Sequence, residues 1–296
     1  MTLLKCATHV VADVAAARDR YVAWMDYAVV EEGVVDAGLA ASWLAPATAG
    51  RPYCVLQPAS GAQTFLRFVE GDPVPDYLPI RTYGWAAIEL CVTDVEAVNQ
   101  RMLESPFDVI GPPKALDGFA TVKPMQVRGD DLETVYLTEI LADGRASGLP
   151  TPQSLIDRPF ILVLACPDLR KSMLWVRDVL GLETIDPVAI RYSMISLAFG
   201  LDPDSKHELI TAKWNGEVFL ELDQYPEGAT ARPCHPGALP PGVAMTTMAH
   251  PDMARLDGHW ASEPVVRDGP LYAGRKVGML LTPEGALLEV IDGREG

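Results

Sequence analysis

Basic residues are scarce in this chain of 296 residues: 24 Lys and Arg stand against 40 Asp and Glu, a formal net charge of −16. A surface of that sign repels nucleic-acid phosphates and anionic membranes, and no run of Lys or Arg offers a local exception. Nucleic acid and membrane are therefore not expected partners, although a local pocket could still take a carboxylate. Cysteine is sparse and unpatterned. Cys6, Cys54, Cys91, Cys166 and Cys234 are odd in number and form no CxxC pair. That argues against a disulfide framework or a zinc ribbon, and for isolated small apolar side chains in a reducing compartment. No stretch reaches the roughly 18 apolar residues of a membrane-spanning helix, and the opening MTLLKCATHVVAD lacks a secretory core. The expected location is the cytoplasm.

What the chain has in quantity is turns and short apolar runs. Glycine (24) and proline (25) are plentiful while 49% of residues are hydrophobic, a globular composition that favours many short strands over long helices. One pattern occurs four times: an apolar run, an Asp, an aliphatic residue or Met, then helical spacing. The copies are THVVADVAAARDRY, IELCVTDVEAVNQRM, LVLACPDLRKSMLW and MTTMAHPDMARLDG, anchored by Asp13, Asp94, Asp168 and Asp252 at intervals of 81, 74 and 84 residues. Regular spacing of this kind marks a repeated supersecondary unit. In each copy the run is strand-like, and the Asp both ends the strand and caps the helix, because its carboxylate accepts a free N–H of the first turn. The fourth helix is expected to be short, since Gly258 follows closely.

Three strand candidates follow each helix. They are 41–44, 52–56 and 64–69 in the first unit, then 109–112, 122–127 and 133–141 in the second. The third unit has 192–199, 208–214 and 218–223, with Asn215-Gly216 as a hairpin signal. The fourth has 263–267, 276–281 and 286–291. Pro- and Gly-rich segments at 142–158 and 226–242 read as linkers. The expected organisation is two halves, residues 1–145 (units at about 4–71 and 82–142) and 155–296 (units at about 159–224 and 242–293). The fold class is α+β: tandem βαβββ units paired into two half-open mixed-sheet barrels.

The fourfold strand–Asp–helix pattern, DVLGLETID at 178–186 and the closing TPEGALLEVID at 282–292 resemble the vicinal oxygen chelate superfamily, which includes glyoxalase I, extradiol dioxygenases and bleomycin-resistance proteins. The resemblance covers nearly the whole chain. It implies a ligand in the concavity of paired units and a divalent metal (Fe, Mn, Zn or Ni) held by a His from a first strand and a Glu from a fourth. Imidazole and carboxylate leave open positions at which a metal can chelate two neighbouring oxygens. The family's His lies seven residues before the capping Asp. Those positions here are Cys6, Ala87, Ile161 and Met245, so no cofactor is expected; His9 falls on the opposite face of its strand.

The fourth-strand acids remain. Glu289 matches the family position, Glu139 and Glu221 match plausibly, and the first unit has Arg67 instead. Glu289, Glu139 and Glu221 are the candidate catalytic groups, because a carboxyl among apolar neighbours has a shifted pKa suited to proton transfer. Arg67 can hold an anionic group in a bidentate manner. Glu89, Tyr192, His207 and Trp214 complete the candidate substrate-binding set. The expected function is an enzyme acting on a small oxygen-rich organic molecule, aromatic or dicarbonyl, by lyase, isomerase or ring-cleavage chemistry. The alternative is a protein that sequesters a small ligand without turnover, and a second copy of the chain is a further partner compatible with the sequence.

Overall fold

The computed structural model describes residues 2–116, 118–141 and 148–294; the first part of the expected 142–158 linker thus lies outside the described residues. Four units follow one another. The first comprises β1 (Leu4–Val11), α1 (Val14–Met25), β2 (Tyr27–Val34), α2 (Ala37–Ser42), β3 (Pro52–Pro58) and β4 (Phe65–Glu70). The second comprises β5 (Gly84–Val92), α3 (Val95–Leu103), β6 (Asp108–Gly111), β7 (Val122–Arg128) and β8 (Thr134–Ile140). The third holds β9 (Ile156–Cys166), α4 (Leu169–Asp178), β10 (Glu183–Thr184), β11 (Val188–Arg191), α5 (Ser193–Ala198), β12 (Lys206–Trp214) and β13 (Glu217–Gln224). The fourth holds β14 (Gly242–His250), a 3-10 turn at Met253–Leu256, β15 (Ser262–Arg267), β16 (Arg275–Leu281) and β17 (Leu287–Asp292).

The anchoring aspartates act as the pattern requires in three units. The carboxylates of Asp13, Asp94 and Asp168 accept from the amides of Ala16, Ala97 and Lys171, each at 3.0 Å. Asp252 differs: its side chain makes no cap, and its own amide donates to His250 Nδ1 at 3.1 Å, so only a short 3-10 turn forms. Two expected strands are helices. Segment 41–44 falls at the end of α2, while the true second strand, β2, starts at Tyr27 after Asp26 turns the chain with a φ of 57°. Segment 192–199 is mostly α5, because its short apolar run fits either period and the turn packs against the concave face of a sheet. Asn215 and Gly216 do form the tight hairpin turn, both with positive φ as a type I′ turn needs.

Within every unit the first strand runs parallel to the last: β1 with β4, β5 with β8, β9 with β13, β14 with β17. The units pair differently from the expected halves. An eight-stranded sheet joins units one and four through antiparallel β1 and β14. A nine-stranded sheet, ordered β10-β12-β13-β9-β5-β8-β7-β6 with β11 on β12, joins units two and three through antiparallel β5 and β9. The chain therefore changes sheet between units one and two and again between three and four. Its two crossings run side by side, with Tyr83 N donating to Thr230 O (2.9 Å) and Thr230 N to Arg81 O (3.1 Å). Neither sheet closes; both stay open and curved.

The two sheets share one core. Leu4, Ala7 and Val11 of β1 and Val243 and Met248 of β14 belong to one buried cluster with Ile88 and Leu90 of β5, Leu162 and Leu164 of β9, and helix residues Tyr21, Val98 and Val176. Trp85 ties the sheets by donating from Nε1 to Leu287 O at 2.7 Å. Separate clusters line the opposite faces, around Trp43 and Tyr272 in one sheet and Tyr136, Tyr192 and Ile195 in the other. Those outward concavities are where function is to be sought. No helix among the described residues is long and apolar enough to cross a membrane.

Candidate functional site

Strand register places one residue of each last strand opposite the middle of its first strand: Thr8 faces Arg67, Glu89 faces Tyr136, Val163 faces Glu221, and Thr247 faces Glu289. Each concavity thus receives four such residues. Glu139 is not among them. It lies three residues beyond Tyr136, and a three-residue offset in a strand reverses the face. Its Oε2 accepts from Val95 N (3.3 Å) at the start of α3, the same task that Gln224 performs for Leu169 N (2.9 Å) at the start of α4. The expectation that Glu139 shares the catalytic face is therefore corrected: it faces the helix.

In the sheet of units one and four the central charges balance. Arg67 donates from Nε to Thr8 Oγ1 (3.0 Å), from Nη1 to the Tyr272 hydroxyl (2.5 Å) and from Nη2 to Glu289 Oε2 (3.2 Å). Glu289 also accepts from Trp43 Nε1 (2.8 Å), the Tyr272 hydroxyl (2.9 Å) and Thr247 Oγ1 (2.7 Å). The guanidinium lies 4.5 Å from the Trp43 ring centre. Trp43 arrives at the end of α2 and Tyr272 from the turn between β15 and β16, and both are buried. The side chains of Arg67 and Glu289 are each 2% exposed. Such a pair is costly to desolvate and is tolerated because its polar groups are hydrogen-bonded from every side. It brings Arg67 and Glu289 together, as candidates of one site, but commits both to each other and to their neighbours.

The sheet of units two and three carries the opposite arrangement. Glu89 on β5 and Glu221 and Asp223 on β13 turn toward the same concave face with Tyr136 on β8 and Tyr192 at the entry to α5. The Tyr192 hydroxyl lies 3.0 Å from that of Tyr136 and 3.3 Å from Glu221 Oε1, so its one proton serves either. The Thr138 hydroxyl donates to Glu89. Asp223 Oδ1 is buried with no hydrogen-bond partner among the described residues. Among the described residues no Lys or Arg forms a salt bridge with any of the three acids. Burial, and then the charge of Glu221, pushes the Glu89 carboxyl up to about 8. Burial is also the main cause that lifts Asp223 to about 8, and the charge of Glu89 adds to it. Glu221 keeps a partly accessible side chain, yet burial and then Asp223 hold its carboxyl well above the ordinary carboxylate range. Burial also raises both tyrosines well above their usual value.

A cavity of about 430 Å³ lies between Lys114, Pro124 and Gln126 of unit two and Arg191, Tyr192 and Met194 of unit three; its lining includes Tyr192 but none of the three acids. Tyr192 belongs to both: it lines the cavity while its hydroxyl meets Glu221. His207 stands behind α5, its Nε2 2.9 Å from Ser196 Oγ, and burial pulls its pKa down. It braces the helix that Tyr192 leads into. Trp214 is elsewhere, on the core side, with its ring centre 6.5 Å from that of His250. Sequence reasoning missed Asp223 and Tyr136. Asp223 sits two residues after Glu221 and so shares its face; aligning Glu139 with Gln224 rather than with Glu221 would have exposed Tyr136.

The residues present do not fit the metal that the fold family implies. Cys6, Ala87, Ile161 and Met245 occupy the first-strand positions and are all buried. Burial pushes the Cys6 thiol up to about 12, far from the thiolate a metal would need. His9 turns to the helix side, where both ring nitrogens lack partners among the described residues and burial pulls its pKa down to about 3. Among the described residues no group of three or more His, Cys, Asp and Glu side chains is arranged to hold a metal ion.

No protein-family model matches the chain, and no curated protein sequence matches it. Its structure does have matches. One single-residue variant of glyoxalase I from Zea mays superposes with a TM-score of 0.66 at 14% identity, over 98% of this chain and 92% of that one. A second variant of the same enzyme gives 0.65 at 13% identity, over 98% and 94%. A candidate dioxygenase from Bacillus subtilis gives 0.62 at 14% identity, over 100% and 86%. Likeness at such low identity speaks to architecture, and on that ground the chain has the four-unit fold of the vicinal oxygen chelate superfamily.

Proposed function

We propose that the concave face of the sheet of units two and three is a small-molecule site, where Glu89, Glu221, Asp223 and the Tyr136–Tyr192 pair hold and move protons on a small oxygen-bearing organic molecule. One observation carries this reading: three inward carboxyls, with no salt bridge among the described residues, lie behind Tyr192, which lines a cavity, while the equivalent place in the other sheet is neutralised and filled. Glu221 and Asp223, two apart on one strand, cannot both ionise cheaply. A pair that keeps one proton supplies an acid and a base together. The acid can donate to a carbonyl oxygen while the base takes a proton from the adjacent carbon, which is the proton balance of an isomerisation. No step is assigned to a metal.

The test is a turnover screen of small carbonyl compounds followed by proton exchange at the carbon next to the carbonyl. Glu221→Gln should lower turnover by about 10²–10⁴-fold, the range for loss of a positioned acid or base. Activity that survives Glu221→Gln together with Asp223→Asn would refute the assignment. A second reading rests on the cover that Tyr192 and α5 place over the acids: the site holds a ligand and performs no reaction, as a sequestering protein would. Tight binding without proton exchange would select it.

A further inference from the structure

The fully buried acids elsewhere among the described residues have their needs met from within, whereas the partly exposed Glu284 meets Ser172 with Oε1 and leaves a buried Oε2 without a partner. Glu133 pairs with Arg20 at 3.1 Å and Glu289 with Arg67 at 3.2 Å. The Asp157 carboxylate accepts from Gln153 N at 2.6 Å and from the Ser60 hydroxyl. The cluster of Glu89, Glu221 and Asp223 is the exception. It holds three carboxyls on one concave face, one of them, Asp223, 1% exposed with an oxygen that no described group satisfies. A buried acceptor without a donor is destabilising, and accumulated like charge is more so unless protons or a cation relieve it.

We propose that this concavity binds an organic cation, with its ammonium group among Glu89, Glu221 and Asp223 and its carbon skeleton in the cavity above Tyr192. The inference rests on the reading of this face as a small-molecule site, in its ligand-holding form rather than its proton-moving one, and names the class of molecule. An ammonium brings three N–H donors and one positive charge. It would satisfy Asp223 Oδ1 and neutralise the pair on β13. The rings of Tyr136 and Tyr192, whose centres lie 6.5 Å apart at a steep angle, give a cation electron-rich faces to approach. Tyr192 stands between the cavity, which it lines, and Glu221, which its hydroxyl meets at 3.3 Å, and Glu221 is the most accessible of the three acids. The cavity lining also carries Lys114 and Arg191 together with Asp204, and Arg191 lies 3.7 Å from Asp204 in an exposed ion pair.

Binding of a cation must displace protons. The titratable groups that face the cluster are Glu89 from β5, Tyr136 from β8, Glu221 and Asp223 from β13, Tyr192 before α5, and Tyr225 beyond β13, with Cys91 and Cys166 close enough to feel these acids. Arg232 acts on Tyr225 but spends its own donors on Thr82, Pro241, Val243 and Trp85. The tyrosines and thiols stay protonated at neutral pH, so the acids are what titrate. An ammonium stabilises their ionised forms and releases a proton to solvent for each acid that ionises.

The experiment compares phenethylamine, 2-phenylethanol and phenylacetate by calorimetry on the full chain, in two buffers of different ionisation enthalpy, at about pH 6 and about pH 8. The amine should bind at least about tenfold more tightly than the alcohol. Its affinity should rise with pH by up to about tenfold per unit for each proton released, and heat should depend on the buffer. Glu221→Gln with Asp223→Asn should remove both the preference and the pH dependence while raising thermal stability at alkaline pH, so loss of binding cannot be mistaken for unfolding. Glu139→Gln should bind as the parent does. Preference for the alcohol or phenylacetate, lost on Tyr192→Ala, would overturn the cation and leave the small-molecule site standing. No binding of any of the three would overturn both. Proton release driven by Mn²⁺ or Mg²⁺ in place of the amine would overturn the organic cation in favour of a metal ion.

Discussion

The two concavities differ at equivalent positions. In the sheet of units one and four the last strands supply Arg67 and Glu289, and the first strands supply Thr8 and Thr247. In the sheet of units two and three they supply Tyr136 and Glu221, opposite Glu89 and Val163. The first set cancels its charge, ties its donors to its acceptors, and is roofed by Trp43 and Tyr272. The second sums to acids alone, leaves Asp223 Oδ1 unsatisfied among the described residues, and reaches a cavity through Tyr192. One fold position therefore serves as an internal strut in one sheet and as a site in the other, and the presence or absence of a basic partner separates the two.

The largest expected effect breaks the strut. Arg67→Met leaves Glu289 buried without its cation and should cost about 3–5 kcal/mol in denaturant unfolding. Arg67→Met with Glu289→Leu should recover most of that loss, because two apolar groups need no compensation. A double variant as unstable as the single one would show that the pair is not a self-contained strut.

The next effect separates the sheets by pH. Glu89 and Asp223, at about 8 in the folded protein, lie above an unfolded carboxyl at roughly 4. Their native forms bind more protons over that interval, so the stability they contribute is full below about pH 4 and is lost as pH rises through about 8. Glu133, pushed by burial to about 7, adds the same sign. His9 has the opposite sign: at about 3 when folded against about 6.5 unfolded, it costs stability as pH falls from 6.5 toward 3. Unfolding free energy should therefore peak on the acid side of neutrality and decline toward pH 9. Glu221→Gln with Asp223→Asn should flatten the alkaline decline, and Glu289→Gln should not.

The legibility of these features follows their range in sequence. Asp13, Asp94 and Asp168 were readable as caps because strand, acid and helix adjoin, and the four units and open mixed sheets follow from that repetition. Asp252 had the same letters and fails, because His250 Nδ1 takes its amide and the helix shrinks to a 3-10 turn. Segment 192–199 misled because a short apolar run suits a strand or a helix equally. The pairing of unit one with unit four was invisible, since it depends on where two crossings lie against each other at Tyr83 and Thr230. Glu289 and Arg67 were recognisable as strand residues, but that they neutralise each other across 222 positions is a property of the assembled sheet alone. Glu89, Glu221 and Tyr192 are legible in the sequence and converge; Asp223 and Tyr136 are not, because Glu139 carries the same letter as the fourth-strand acids yet stands on the opposite face of its strand.

Smaller effects sharpen the same comparison. Asp168→Ala removes a cap and should cost about 1 kcal/mol, whereas Asp252→Ala, with no cap to lose, should be near neutral in thermal unfolding. Glu139→Gln should change stability by only a few tenths of a kcal/mol, through the helix end it faces. Its proton-exchange rate should match that of the parent, in contrast to Glu221→Gln. Equal losses in the two variants would return Glu139 to the site.

The most direct measurement is infrared spectroscopy of the carboxyl groups at neutral pH, with single Gln or Asn replacements to assign the bands. A protonated-carboxyl band should be present in the parent, diminish in Glu89→Gln, Glu221→Gln and Asp223→Asn, and persist in Glu289→Gln. A parent with no protonated carboxyl at neutral pH, or one whose only such band vanishes with Glu289, would contradict the division between a neutralised sheet and an acid-bearing one.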